Sequence, residues 1–237
     1  MSYSQYLPRY TSMECIRESD EFFSDEPYAI FVGIDWTNGI TNPRWFVRNT
    51  HIYSDVDTGD TCGANTEWDN KNLTKSGKYE RIDPSKHFIL VQAMEHDCSS
   101  SWGIRRILWT VIEASIEKLL ILSMGNRATM IENTKKLINL VINKARYVPG
   151  SIITSAFREN LKEAIKIGDA DSFSEFLNAV EAGFKVVISV LTGLPTLVNP
   201  DDIVGSPQVL NISGDDRQYL TFSSSGKYQY KFSIHRK

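Results

Sequence analysis

The groups best placed to do chemistry in this chain are carboxylates that flank short apolar runs. Asp25 and Glu26 stand just before Tyr28–Asp35, Glu95 and Asp97 close the run His87–Met94, Asp201 and Asp202 open the last β-like segment, and Asp20 lies slightly upstream of the first group. Carboxylates gathered from separate loops repel one another unless a cation sits between them, and Ca²⁺ takes roughly six to eight oxygens of this kind. Asp before a strand, or in an Asp-Asp-x-x-Gly turn, is also a common turn former, and that reading stands beside the ionic one. A second acidic loop, Asp55-x-Asp57-x-Gly59-Asp60, begins like a calcium loop but lacks the Gly and terminal Glu at the offsets of an EF-hand. It reads either as a solvated turn or as a second cation or receptor contact.

Other chemistries find less footing. His96 and Cys98 flank Asp97, and His51 and Cys62 lie near the second loop, but no Cys-x-x-Cys or His-x-x-x-His spacing joins them into a zinc pattern. There is no Gly-x-Ser-x-Gly, no phosphate loop and no His-Glu-x-x-His, and Cys15, Cys62 and Cys98 have no neighbouring signature of an activated thiolate. The expectation is therefore a protein that is not an enzyme, with its three cysteines reduced.

The elements that must carry these acids follow from periodicity. Tyr28–Asp35 and His87–Met94 are short, β-branched and aromatic, and Arg44–Tyr53 alternates in places, so all three read as strands. Residues 58–83 are polar and turn-rich. From Trp102 the spacing becomes helical: Ile104, Ile107, Leu108, Val111, Ile112 and Leu119 make one stripe, and Met130, Leu137, Ile138, Val141 and Ala145 another. Gly125-Asn126 separates them, Pro149-Gly150 ends the second, a short third helix follows around Phe157–Ile165, and Phe173–Leu191 is the fourth, with Asp169 or Asp171 as its cap. Strand patterns return at Gln208–Ile212, Gln218–Ser223 and Tyr228–His235. Strands, then helices, then strands describe a β-domain interrupted by a helical segment, because the last strands are too few to form a stable sheet alone.

Charge divides the chain similarly. Residues 1–100 carry 9 Lys/Arg against 16 Asp/Glu, residues 101–200 carry 12 against 9, and the whole 237-residue chain has a net charge of −3, so general attraction to nucleic acid is not expected. The opening MSYSQYLPRYTSMEC has no basic stretch followed by an apolar one, which predicts cytoplasmic synthesis without a signal peptide, with release by lysis or a dedicated secretion system left open. Residues 179–198 are apolar but interrupted by Gly193 and Pro195, so they read as bundle core or as a segment of a pore-forming, toxin-like protein that acts on membranes.

The acids and their flanking strands together resemble the C2-domain family of calcium-dependent phospholipid-binding β-sandwiches. The matching pieces are Ser24-Asp25-Glu26-Pro27-Tyr28, Glu95-His96-Asp97 and Asp201-Asp202-Ile203-Val204-Gly205, spread over roughly 25–97 and 200–237. About 100 residues separate the last two motifs where the family has a handful, and this gap coincides with the helical stretch. The resemblance implies an α+β chain: an antiparallel C2-like β-sandwich from 25–100 and 199–237, a four-helix insertion at 101–198 between the last strands, and a leader at 1–24. It implies Ca²⁺ held by Asp25, Glu95, Asp97 and Asp202, completed by Asp201 and Asp20; Asp55, Asp57 and Asp60 form the second acidic loop apart from it. The partner implied is a lipid membrane or a cell-surface receptor, and a metal-free protein-interaction module is the alternative.

Overall fold

The computed structural model describes residues 4–5, 8–18, 25–63, 81–97, 101–165, 167–168, 170–189, 200–210, 217–224 and 228–236. The chain is α+β, and the described residues form two four-stranded antiparallel sheets and four α-helices. It divides into two compact units, one comprising Met1–Thr37, Arg44–Asp97 and Asp201–Lys237, the other Asn38–Pro43 and Cys98–Pro200.

In the first unit the strands are β1 (Ser4–Gln5), β2 (Pro8–Arg17), β3 (Pro27–Asp35), β4 (Arg44–Asn49), β5 (Thr61–Gly63), β6 (Arg81–Ile82), β7 (His87–Glu95), β8 (Asp202–Leu210), β9 (Arg217–Ser224) and β10 (Tyr228–Arg236). One sheet runs β4-β3-β7-β8, the other β5-β2-β10-β9, and β1 pairs with β6. The two larger sheets share one apolar core: Ala29, Phe31, Ile89 and Val91 of one contribute to the same cluster as Met13, Cys15, Phe222, Tyr230 and Phe232 of the other. Every residue of β3 and of β7 is buried. That is why both read as continuous apolar runs rather than as alternating ones, since a strand covered on both faces has no polar side to show. Gly33 is needed in β3 because the ring of Phe46, its partner on β4, occupies the space a Cβ would take.

The residues read as a leader carry β1 and β2. The alternation of β2 is broken by two irregularities in its pairing with β10, where Tyr10 faces Ile234 but Ser12 faces Ser233, and Cys15 faces Tyr230 but Arg17 faces Gln229. Thr11 and Ile16 are therefore extra residues on the β2 side, and each shifts the inward face by one position. Tyr10, Met13 and Cys15 are buried while Ile16 is exposed, a spacing that no period of two predicts. The strand expected over Arg44–Tyr53 is regular only to Asn49: beyond it the Thr50 hydroxyl accepts from the Ala29 amide, and the chain continues alongside β3 out of step, the Thr50, Tyr53 and Val56 amides donating to the carbonyls of Ala29, Pro27 and Asp25.

The β7–β8 pairing also slips, with Val91 facing Gln208 and Ala93 facing Val204. Gly205 takes a φ of 67° there, and the buried Gln92 amide donates to the carbonyls of Val204 and Gly205 at 3.2 Å each. Those carbonyls lose ladder partners at the irregularity, and the side chain replaces them.

The second unit holds α1 (Ser101–Leu122), α2 (Arg127–Ala145), α3 (Ser155–Ala164) and α4 (Phe173–Ser189). The expected stripes are its buried faces, including Ile104, Ile107, Leu108 and Val111 of α1 and Leu137, Ile138 and Val141 of α2. Asn126 caps α2 by accepting from the Thr129 amide at 3.0 Å, and Thr154 caps α3 by accepting from the Phe157 amide at 3.2 Å. For α4 the cap is Ser172 rather than Asp171. Its hydroxyl accepts from the Glu175 amide at 3.2 Å while the Glu175 carboxylate accepts from the Ser172 and Asp171 amides, a reciprocal capping box. Among the described residues no helix is long and apolar enough to cross a membrane.

Candidate functional site

The antiparallel ladder of β3, β7 and β8 brings three of the predicted acidic segments to one end of one sheet. Pro27 pairs with Glu95, and Glu95 pairs with Asp202, so Asp25 and Glu26 precede that row, Asp97 follows it, and Asp201 leads into it. The join is tightened by backbone contacts. The His96 amide donates to the Glu26 carbonyl at 3.0 Å, and the Asp97 amide donates to Asp201 Oδ1 at 3.2 Å.

Two of the carboxylates are held by tyrosines. Tyr28 donates its hydroxyl to Asp201 Oδ2 at 2.6 Å, and Tyr230 donates to Asp25 Oδ2 at 2.6 Å. Asp201 is fully buried and Asp25 nearly so. A buried carboxylate must be compensated by donors, and those of Asp201 include the Tyr28 hydroxyl, the Asp97 amide and His96 Nδ1 at 3.1 Å. The hydrogen bond to Asp201 raises the pKa of His96 above its ordinary value, with the charges of Asp201, Glu26 and Asp97 adding to it against the opposing effect of burial. Burial foremost, with the neighbouring carboxylates, holds the phenols of Tyr28 and Tyr230 well above the ordinary tyrosine range. Both tyrosines therefore act as donors at any ordinary pH.

Glu95 differs from its neighbours. Its residue is 6% exposed; Oε1 accepts from the Glu26 amide at 3.4 Å, and Oε2 is buried with no hydrogen-bond partner among the described residues. Burial, then the charges of Asp97, Asp25 and Asp201, push its pKa up to about 8, against the lowering effect of the Glu26 amide.

Asp202 is half-buried at the start of β8, directly across from Glu95. Asp20 and Cys98 lie outside the described residues. Among the described residues no group of three or more His, Cys, Asp or Glu side chains is gathered at a spacing that holds a metal ion.

The second acidic loop is a closed turn. The Asp57 amide donates to Asp60 Oδ2 at 3.1 Å, the Asp60 amide donates back to the Asp57 carbonyl at 3.0 Å, and Gly59 supplies a φ of 97°. Backbone bonds fasten the turn to β2: Gly59 N–H to the Cys15 carbonyl at 2.8 Å and Cys15 N–H to the Asp60 carbonyl at 2.9 Å. Asp55 and Asp57 are exposed, and the Asp60 side chain is engaged in closing the turn. Cys15 beneath it is buried, and burial with the charges of Asp25 and Glu18 pushes its thiol up to about 12. Cys62 packs against the apolar core, and His51 meets the ring of Tyr53 edge-on at 6.0 Å.

Sequence reasoning missed Tyr28, Tyr230 and His96 as partners of the acids. Tyr28 lies 173 positions from Asp201 and Tyr230 lies 205 positions from Asp25, so only the strand register reveals either pair. Elsewhere, a cleft of about 830 Å³ between α3 and α4 is walled mainly by Phe157, Ala164, Ala179 and Val186, with Asn160 and Glu163 as polar edges. Comparison of the chain with protein-family models, with characterised proteins and with solved structures finds no match.

Proposed function

We propose that the protein is a non-enzymatic surface binder. Its frame is a C2-like antiparallel β-sandwich with the four helices inserted between the last strands, and its acidic sheet end takes Ca²⁺ to engage a lipid membrane or a cell-surface receptor. The observation that carries this reading is Glu95, a carboxylate withdrawn from water, with one oxygen unpartnered and the charges of Asp97, Asp25 and Asp201 around it. A carboxyl in that setting is relieved either by a proton or by a cation. With Asp25 and Asp201 engaged by tyrosines, the ion would rest on Glu95 together with Asp97 and Asp202, whose side chains have to turn toward it as it arrives.

The inserted-helix reading is supported by the bond from the Asp97 amide to Asp201, which ties together two positions 104 residues apart. Closure of so long a segment is tolerable because its entropy cost grows only logarithmically with length. A metal-free protein-interaction module is favoured by a different observation: Asp201 already has three donors and needs no cation. Calorimetric titration of Ca²⁺ into chelator-treated protein at pH 8 separates the two. The proposal expects saturable binding to wild type and its loss in Glu95→Gln; the interaction-module reading expects no binding heat from either protein.

A further inference from the structure

A basic and aromatic surface lies at one end of the helical unit. Only Ser123–Asn126 separates α1 from α2, and the two helices pack together, so α2 runs back along α1. At 1.5 Å per residue α1 is about 33 Å long and α2 about 28 Å, which returns the end of α2 to within about a turn of the start of α1. The start of α3 belongs to the same end, since Arg158 in its first turns is close enough for its charge to act on Arg106 of α1.

Three features of this end point to a ligand. Trp102 and Tyr147 are 42% and 50% exposed, large aromatic rings in water at the first turn of α1 and just past α2. An arginine lies on each ring: the Arg106 guanidinium is 3.2 Å from the Trp102 centroid and that of Arg146 is 4.9 Å from the Tyr147 centroid. Arg158 is near enough across the α1–α3 contact to add to the lowering of the Arg106 pKa, which loss of solvent causes first, and no carboxylate is paired to either among the described residues; Glu113, two turns along α1, is taken by Lys162 at 3.3 Å. Like charges held together without an internal counterion are costly unless an anion supplies it.

We propose that this end of the helical unit binds an anionic phospholipid surface, with Trp102 and Tyr147 seated at the lipid–water boundary and Arg106 and Arg158 on headgroup phosphates. Exposed Trp and Tyr beside arginine suit that boundary, where a ring has an apolar body and a polar tip and a guanidinium holds phosphate oxygens with paired N–H groups. A nucleic acid fits less well, because the whole chain carries a net charge of −3 and the basic surface is confined to one helical end.

The test is co-sedimentation of the full chain with phosphatidylcholine vesicles, with and without phosphatidylserine, in chelator throughout so that any calcium contact is silent. Binding is expected only with phosphatidylserine, weakening as salt rises. Arg106→Gln with Arg158→Gln is expected to reduce partitioning by roughly fivefold per arginine, and adding Trp102→Ala to reduce it further, while Arg106→Lys with Arg158→Lys keeps most of it. Unchanged melting shows that the variants fold. Equal binding to both vesicles, wild-type binding by the double glutamine variant, binding that appears only when Ca²⁺ replaces chelator, or preference for an oligonucleotide over the vesicles would each overturn the proposal. The salt dependence of the wild-type protein alone decides the matter if a variant does not fold.

Discussion

The amide of Asp97 donates to the carboxylate of Asp201 at 3.2 Å, although 104 positions separate them. The same carboxylate holds the Tyr28 hydroxyl at 2.6 Å, so one buried group joins the end of β7, the start of β3 and the entry to β8. Around that junction the acids divide. Asp201 and Asp25 are compensated by donors, and Glu95 keeps a buried oxygen with no partner among the described residues. The compensated ones tie strand ends together through tyrosine hydroxyls, and the uncompensated one is where the proposed cation would bind.

The tyrosine bonds are structural, and their removal should be costly. Tyr28→Phe leaves one oxygen of a fully buried carboxylate without its donor, which is expected to cost about 1–3 kcal/mol in denaturant unfolding. A loss below about 0.5 kcal/mol, the ordinary scatter of surface substitutions, would show that Asp201 does not depend on this hydroxyl.

Stability should fall as the pH rises from about 5 to about 9. The folded-state pKa of Glu95 is raised to about 8 by burial and by neighbouring acids, and that of His96 is raised by its bond to Asp201. In both cases the folded state holds its proton more tightly than the unfolded one. The stabilisation is complete below the unfolded values and is lost as the pH passes the folded ones. For Glu95 the window is roughly 4.5 to 8, and the loss is on the order of 2 kcal/mol once partial solvent screening is allowed for. Urea unfolding at several pH values should show this fall in wild type and a shallower one in Glu95→Gln. An identical slope in the variant would remove Glu95 as its source.

Gly205 should resist substitution. Its φ of 67° is strained for any L side chain, and an added Cβ would lie 3.1 Å from the carbonyl oxygen of Ser223. Gly205→Ala is expected to lower stability by about 1–2 kcal/mol. A neutral result in thermal or chemical unfolding would mean that the β7–β8 irregularity relaxes to accept the methyl group.

How much of this was legible in the sequence depended on whether a feature is local. The four helices were, because stripes such as Ile104–Ile107–Leu108–Val111 repeat with the helical period and end at local caps. So were β3 and β7, whose burial on both faces writes an uninterrupted apolar run. β2 was hidden because the extra residues Thr11 and Ile16 shift its inward face twice within ten residues. The positions of Asp25, Glu95, Asp97, Asp201 and Asp202 beside strands were also readable, whereas what each one touches was not. Tyr230 meets Asp25 only because β10 pairs with β2 in a particular register, and Gln92 replaces ladder bonds only at a slip between β7 and β8. Pairing register is set by the whole sheet, and no short stretch of sequence contains it. The cap of α4 shows the same limit on a small scale: Asp171 and Ser172 are both good capping residues, and Glu175 three positions beyond Ser172 decides between them.

Binding of Ca²⁺ at Glu95 is tested by the melting midpoint of wild type and of Glu95→Gln at pH 8, in saturating Ca²⁺ and in chelator. A ligand bound only by the folded state raises the midpoint, and at about 100 times its Kd the gain is about 2.7 kcal/mol, on the order of 5 °C for a chain of this size. That rise is expected in wild type, growing as the pH goes from 6 to 8 and Glu95 loses its proton, and is expected to be absent in Glu95→Gln. A wild-type midpoint that is the same in Ca²⁺ and in chelator would contradict Ca²⁺ binding there.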